Sequence, residues 1–456
     1  MPTYLSERSR DMMTTSTAAK PNALLTIIIS IAWLFAASAV FVETDAYRYA
    51  SAVLAIIALV HFLKMPNRPA TNWLGWLCMA WGIYVAVRFL RFYIMTHPHE
   101  SGASEWLYAF PFFFPILGVA FSMTEGRIER IVAAFFAVAL VMLAATTGYV
   151  RIFAGETVKP LIMNNQIHGA VACGLILLSA YFWWLHYLSN SDAKPLLRRF
   201  GLVVAPVVMI LCLIAIYGAK SKGVWLALTL TLPIAGLLSL TYLRLRTGLI
   251  TIVAASILLG CGAYAVRHNL NKTAGPTVDA AISMLEGFHA RRDFNGVVLG
   301  TIDSPTTPVS MDERLQLWYD AGELISSAPV FGWGSKWVDQ LNAARYPNVR
   351  YTLFHNGYLE ILVRFGIFGA VIMSVILGAL FVSVFRAFRA GVIPRAAFHV
   401  YTVGLFFFAL TLLSNSNNRL AIGESLALLS SAFACWCNMR TAHDYDALRE
   451  EPGARG

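Results

Sequence analysis

The chain has 456 residues, of which 58% are hydrophobic and only 13% charged, and 35 Lys and Arg against 25 Asp and Glu give a net charge of +10. Soluble globular chains are about 45–50% apolar and about 25% charged. A mean hydropathy of +0.62 therefore excludes a disordered chain, a secreted disulfide scaffold and an ordinary cytosolic enzyme, and it predicts an integral membrane protein. In such a protein basic residues set orientation, so the positive charge does not imply a nucleic acid partner, and none is expected.

A membrane-crossing helix needs about 20 mostly apolar residues. After a polar N-terminal tail, 1–22, which lacks the form of a cleavable signal, twelve stretches qualify. They are 23–42, 47–63, 72–95, 106–122, 128–150, 162–188, 200–218, 223–241, 248–266, 357–385, 396–413 and 420–437. The expected fold is thus an all-α integral membrane protein with about 12 transmembrane helices. Helices one to nine occupy 23–266, one large, mostly helical loop occupies 267–356, and helices ten to twelve occupy 357–437. A tail over 438–456 follows.

With the N-terminus inside, 18 of the 35 Lys and Arg fall in inside connections or tails. Eight of the others lie in the long loop, which translocates largely regardless of charge. The bias of 18 against nine supports both termini on the cytoplasmic side and the loop outside. All six cysteines, Cys78, Cys173, Cys212, Cys261, Cys435 and Cys437, sit in or at the ends of apolar stretches, so no disulfide framework is expected.

The 89 residues from Arg267 to His355 are too many for a structureless connection. Helical character is expected from Val278 to Phe294, from Asp312 to Ser326 and from Lys336 to Ala344. Asp312 is read as an N-cap, followed by the stripe Leu315, Trp318, Tyr319 and Leu324. Such a stripe is expected to lie on the bilayer surface or to cap a cavity.

Ionisable and polar groups at the outer ends of the spans are the candidate functional residues, because charge near lipid is costly unless used or snorkelled. Arg88 and Arg91 share a helical face and suit phosphate oxygens. Lys220 and Lys222 flank Ser221 in a short turn where a helix begins, a favourable anion position. Asn164, Gln166 and His168 open the sixth span and are read either as sugar contacts or as groups satisfying one another. His355 and Asn356 stand where the loop enters the tenth span, with Glu360 and Arg364 one turn apart. A half-wet histidine there has the chemistry of a general base. Arg419 follows Ser414-Asn415-Ser416-Asn417-Asn418, read as a polar loop or sugar contact. A metal site is not expected, since His97-Pro98-His99 lacks further ligands. The clustered outer cations favour a membrane-held anion bearing polar groups.

His355-Asn356, nine residues, then Gly366-Ile367-Phe368-Gly369 resembles the signature of the O-antigen ligase family, which is related to the O-antigen polymerases. Arg314-Leu315-Gln316-Leu317-Trp318, followed by Pro329, Gly332 and Gly334, is similar to that family's loop pattern. Lys222 stands where the family commonly has Arg, and Ala370 where a further glycine is often found. The resemblance implies transfer of glycan from undecaprenyl diphosphate to a sugar hydroxyl of lipid A-core, completing lipopolysaccharide at the periplasmic face of a Gram-negative inner membrane. It implies neither cofactor nor metal. His355 would be the base of an inverting displacement, with Arg314, Arg88, Arg91 and Lys222 on the diphosphate and Glu360 orienting His355 or only pairing with Arg364. The alternatives are an O-antigen polymerase with a lipid-linked acceptor, a transporter of lipid-linked sugars, or a scaffold.

Overall fold

A computed structural model describes residues 23–449 apart from 67, 69, 70, 96–104, 291, 292, 303, 348 and 350–352. The helices are α1 (Ala23–Ala36), α2 (Ala46–Lys64), α3 (Trp73–Met95), α4 (Phe114–Ser122), α5 (Ile128–Thr146) and α6 (Tyr149–Phe153). Then come α7 (Gln166–Ser189), α8 (Pro195–Ala219), α9 (Lys222–Ser239), α10 (Leu245–Ala265), α11 (Arg267–His289) and α12 (Phe294–Thr301). The series ends with α13 (Val309–Ser327), α14 (Trp337–Asn342), α15 (Gly357–Arg389), α16 (Arg395–Thr411) and α17 (Ala421–Arg449). No strand occurs among the described residues; the sole bridge joins Val42 to Ile162.

Eight of these helices are long and apolar enough to cross a membrane. The chain is therefore an all-α membrane protein. The other predicted stretches are helical as well, but shorter or more polar: a 3-10 turn, Trp106–Phe113, precedes α4, and α10, α16 and α17 complete the set. Self-contained backbone hydrogen bonding is what lipid demands of such segments. Buried residues make up 72% of α7 but only 22–39% of the other seven. A helix apolar all round belongs inside, and α7 forms the centre of one core with α5, α8, α9 and α16. A second core joins α1 to α4, α15 and α17. All six cysteines are free thiols.

The long segment differs from expectation at its edges. Its first helix starts at Arg267, one residue after α10, rather than at Val278. The helix expected from Asp312 is α13, the third in the segment after α12, and it starts at Val309 behind Pro308, whose fixed φ suits the cap position. Asp312 is thus in the first turn, not the N-cap, and its carboxylate accepts from Gln316 at 2.7 Å. The stripe is covered by protein rather than by lipid: Leu315 packs with Val298 and Ile302, while Leu324 joins Trp337 and Phe354.

Two glycine motifs lock this segment to α15. Gly366 breaks the helix with φ 62° and ψ −162°, a region essentially reserved for glycine. The freed Ile367 and Phe368 amides donate to the Pro329 and Val330 carbonyls, both at 2.9 Å, and Trp333 N donates to Val363 O at 2.8 Å. A Cβ on Gly332 would lie 2.6 Å from the Val363 oxygen. Gly366→Ala should therefore lower stability by about 1–3 kcal/mol, read as a fall in the thermal midpoint of the purified protein. An unchanged midpoint would mean that the break does not need glycine.

Candidate functional site at the loop end of the bundle

Four charged side chains form a buried network beneath the loop. Arg364 Nε donates to both Glu105 oxygens at 2.9 Å, Arg419 Nη2 to Glu105 Oε1 at 2.8 Å and Arg419 Nη1 to Glu360 Oε2 at 2.9 Å. Arg364 Nη1 also donates to Glu360 Oε2. Exposure of these residues is 3% or less, so two anions and two cations neutralise one another away from water. The Trp337 ring covers the pair, its centroid 3.8 Å from the Arg364 guanidinium and 5.3 Å from that of Arg419.

This network shapes what lies above it. The remaining Glu360 oxygen accepts from Phe354 N at 3.0 Å and from Ser416 Oγ at 2.7 Å. It thereby fixes the residue before His355 and the residue after Asn415. Trp318 Nε1 donates to Phe354 O at 2.8 Å, which ties α13 to the same point. Asn356 caps α15, its carboxamide oxygen accepting from Tyr358 N at 3.0 Å and Leu359 N at 3.2 Å. Between these anchors His355 adopts φ 49°, uncommon for a non-glycine residue and sustained by contacts on both sides.

The His355 ring is part-buried, with Nδ1 2.9 Å from Asn415 Oδ1. Its pKa lies below the ordinary value near 6.5. Burial is the main cause and the Arg314 charge adds to it, against the Asn415 bond and the Glu360 and Glu313 carboxylates, which act the other way. The ring is therefore neutral at neutral pH. Arg314, on α13, also acts electrostatically on Lys222, so one guanidinium lies within electrostatic reach of both the histidine and the ammonium. Lys222 opens α9 and donates to Thr277 Oγ1 of α11 at 2.7 Å. Gly223 beside it lets the start of α9 approach the turn after α16, because a Cβ there would collide with Ser414.

Other candidates are held elsewhere. Arg88 Nη2 donates to the carbonyls of Phe331 and of Gly332, the latter at 2.9 Å, and Nη1 to the Tyr84 hydroxyl at 3.1 Å. Its guanidinium thus faces the glycine junction. The side chain of Arg91 lies outside the described residues, as do His97 and His99. Lys220 terminates α8 with φ 51° and donates to Gly155 O at 2.7 Å. Asn164 N and His168 Nδ1 both meet Glu43, at 3.0 and 3.1 Å from Oε2. Burial would raise the Glu43 pKa, but the His168 bond and charge and the Asn164 amide outweigh it and hold the carboxylate below its usual range. Gln166 lines a separate cleft of about 290 Å³ with Arg151, Thr157 and Lys159. Glu360 pairs with Arg364, one of the two roles read for it, and Arg419, read as part of a polar loop or a sugar contact, lies in the same buried network.

Glu105 and Trp337 are the residues the sequence did not single out, and Asn415 and Asn417 were read only as part of a polar run. Glu105 had one signal, an isolated acid directly before an apolar stretch. Among the described residues, no three His, Cys, Asp or Glu side chains gather as a metal site would require.

Residues 207–374, which contain α9, the long segment and His355, match the family model described as O-Antigen ligase. No curated protein matches the chain.

Proposed function

We propose that this membrane protein, which its 207–374 segment assigns to the O-antigen ligase family, joins glycan from undecaprenyl diphosphate to a sugar hydroxyl of lipid A-core. The coarse activity, enzymatic glycan transfer in lipopolysaccharide biosynthesis, follows from the family. The observation that carries the finer reading is a neutral His355 held by Asn415, with the Arg314 charge within electrostatic reach of both it and Lys222. A base beside two cations suits a hydroxyl nucleophile and a diphosphate leaving group.

In the proposed step His355 Nε2 takes the acceptor hydroxyl proton while that oxygen bonds to the anomeric carbon on the face opposite the diphosphate. The anomeric C–O bond breaks, its electron pair leaves on the phosphate oxygen, and the configuration inverts. Arg314 and Lys222 stabilise the charge that develops there, the role given to fixed cations at phosphoryl oxygens. The imidazolium then returns its proton to the departing diphosphate or to water. Arg88 contributes by holding the glycine junction, and Arg91 is retained as a diphosphate contact. Asn164, Gln166 and His168 are retained as sugar contacts. The reaction faces the periplasm from the inner membrane and needs no cofactor or metal.

The test is purified full-length protein with undecaprenyl-diphosphate glycan and lipid A-core, with and without EDTA. Ligated product in both arms supports the reading. Longer lipid-linked chains formed without lipid A-core would make it a polymerase, and movement of labelled lipid without covalent change would make it a transporter.

Arg314→Glu is expected to weaken donor binding by about 10- to 100-fold, the worth of a lost charge-assisted contact. Lys222→Ala should follow in the same direction, while Lys222→Arg retains affinity. A donor-lipid binding assay checks both. Unchanged affinity in Arg314→Glu would assign that residue to loop folding instead.

A further inference from the structure

We infer that Thr411, Asn417 and Asn415 form a polarised hydrogen-bond relay that sets the tautomer of His355, leaving Nε2 as the ring's proton acceptor. The inference deepens the reading of His355 as the base, and rests on it only for its effect on rate.

The polarity starts at the end of α16. Thr411 Oγ1 donates to the Phe408 carbonyl at 2.7 Å. A hydroxyl has one proton, so toward Asn417 it offers only lone pairs, and Asn417 Nδ2 donates to it at 3.1 Å. That turns the Asn417 carboxamide oxygen to Asn415, whose Nδ2 donates to it at 2.7 Å. The Asn415 oxygen is then left facing His355 Nδ1 at 2.9 Å, and an oxygen there requires Nδ1 to carry the proton. A neutral imidazole with a proton on Nδ1 has its lone pair on Nε2.

Burial makes the relay directional. Thr411, Asn415 and Asn417 are 1%, 4% and 0% exposed, so water is not at hand to satisfy a reversed amide, and each reversal would have to pass along the whole chain. A carboxamide also differs from a carboxylate in that position. It orients the ring and accepts from the imidazolium that forms, yet adds no charge that would hold the proton on His355 at neutral pH.

The experiment is nitrogen NMR of full-length protein labelled with [15N]histidine, the His355 signals assigned by their loss in His355→Gln. Wild type should show a protonated Nδ1 and a bare Nε2 at neutral pH. Thr411→Val removes the hydroxyl with little change of shape and should shift population to the Nε2-protonated form. Transfer should fall with it by about 3- to 10-fold, the ratio one buried hydrogen bond sustains. Thr411→Ser should restore both signal and rate. Protonated Nε2 in the wild-type protein would overturn the relay whatever His355 does in transfer. An unaltered tautomer in folded Thr411→Val would overturn it too. The expected tautomer shift without any loss of rate would leave the relay standing and remove His355 as the base.

Discussion

Replacement of His355 by Gln should reduce glycan transfer by about 10²- to 10⁴-fold, the usual worth of a positioned general base, with donor binding and thermal stability near those of wild type. The separation is expected because Arg314 and Lys222, not His355, are assigned to the diphosphate, and because α15 keeps its Asn356 cap. Initial rates and donor affinity on one purified preparation decide it, and near-normal turnover would exclude His355 as the base. The pH profile gives a second reading. Only the neutral ring accepts a proton, so the rate falls as pH drops through the pKa. Burial and Arg314 hold that pKa below the ordinary value, so the acid limb should lie below about pH 6.5, and the rate should be flat through neutrality. A limb centred above 7 would contradict this environment.

The second large effect concerns stability. Removing one member of the Glu105, Glu360, Arg364 and Arg419 network leaves an uncompensated buried charge, which costs about 3–5 kcal/mol. Glu105→Gln or Arg364→Met should therefore lower the thermal midpoint sharply. The combined Glu105→Gln and Arg364→Met protein restores neutrality and should be less impaired than the two single effects summed. Additive losses would show that the four side chains do not act as one unit. Glu360→Gln differs in kind, because Glu360 also holds Phe354 N and Ser416 Oγ. It should lower transfer more than Glu105→Gln does in variants that remain folded.

Helix content was legible in the sequence because lipid permits little else: long apolar runs read directly as helices, and all twelve predicted stretches are helical. The edges were less so. Asp312 looked like an N-cap by residue type, but Pro308 has the stronger backbone constraint and moved the start three residues upstream. In the site, the glycines of the 332–334 and 366–369 motifs marked places of unusual backbone, yet their mutual contact is a tertiary fact with no sequence period. The same holds for the polar residues. Arg88, Lys220 and Arg419 announced themselves as charge near lipid, a signal that does not distinguish a ligand contact from an internal pair. Glu105 is more than 250 residues from its partners Arg364 and Arg419, and only folding reveals the neutral group of four. Asn415 and Asn417 were visible as a polar run, but the order of donors and acceptors depends on which side chains face one another.

The glycine junction bears on how this architecture can vary. Pro329 and Val330 carbonyls serve as partners for amides of α15, and Arg88 of α3 fastens the same turn. The segment before His355 is thus keyed into the bundle and is not a detachable module. A hybrid that exchanges 267–356 for the corresponding stretch of another protein, without also carrying residues 357–369 and the α3 arginine, would bring together surfaces that no longer mesh. Sequence change would then be easier away from these contacts than at the junction itself, which must be inherited as one piece.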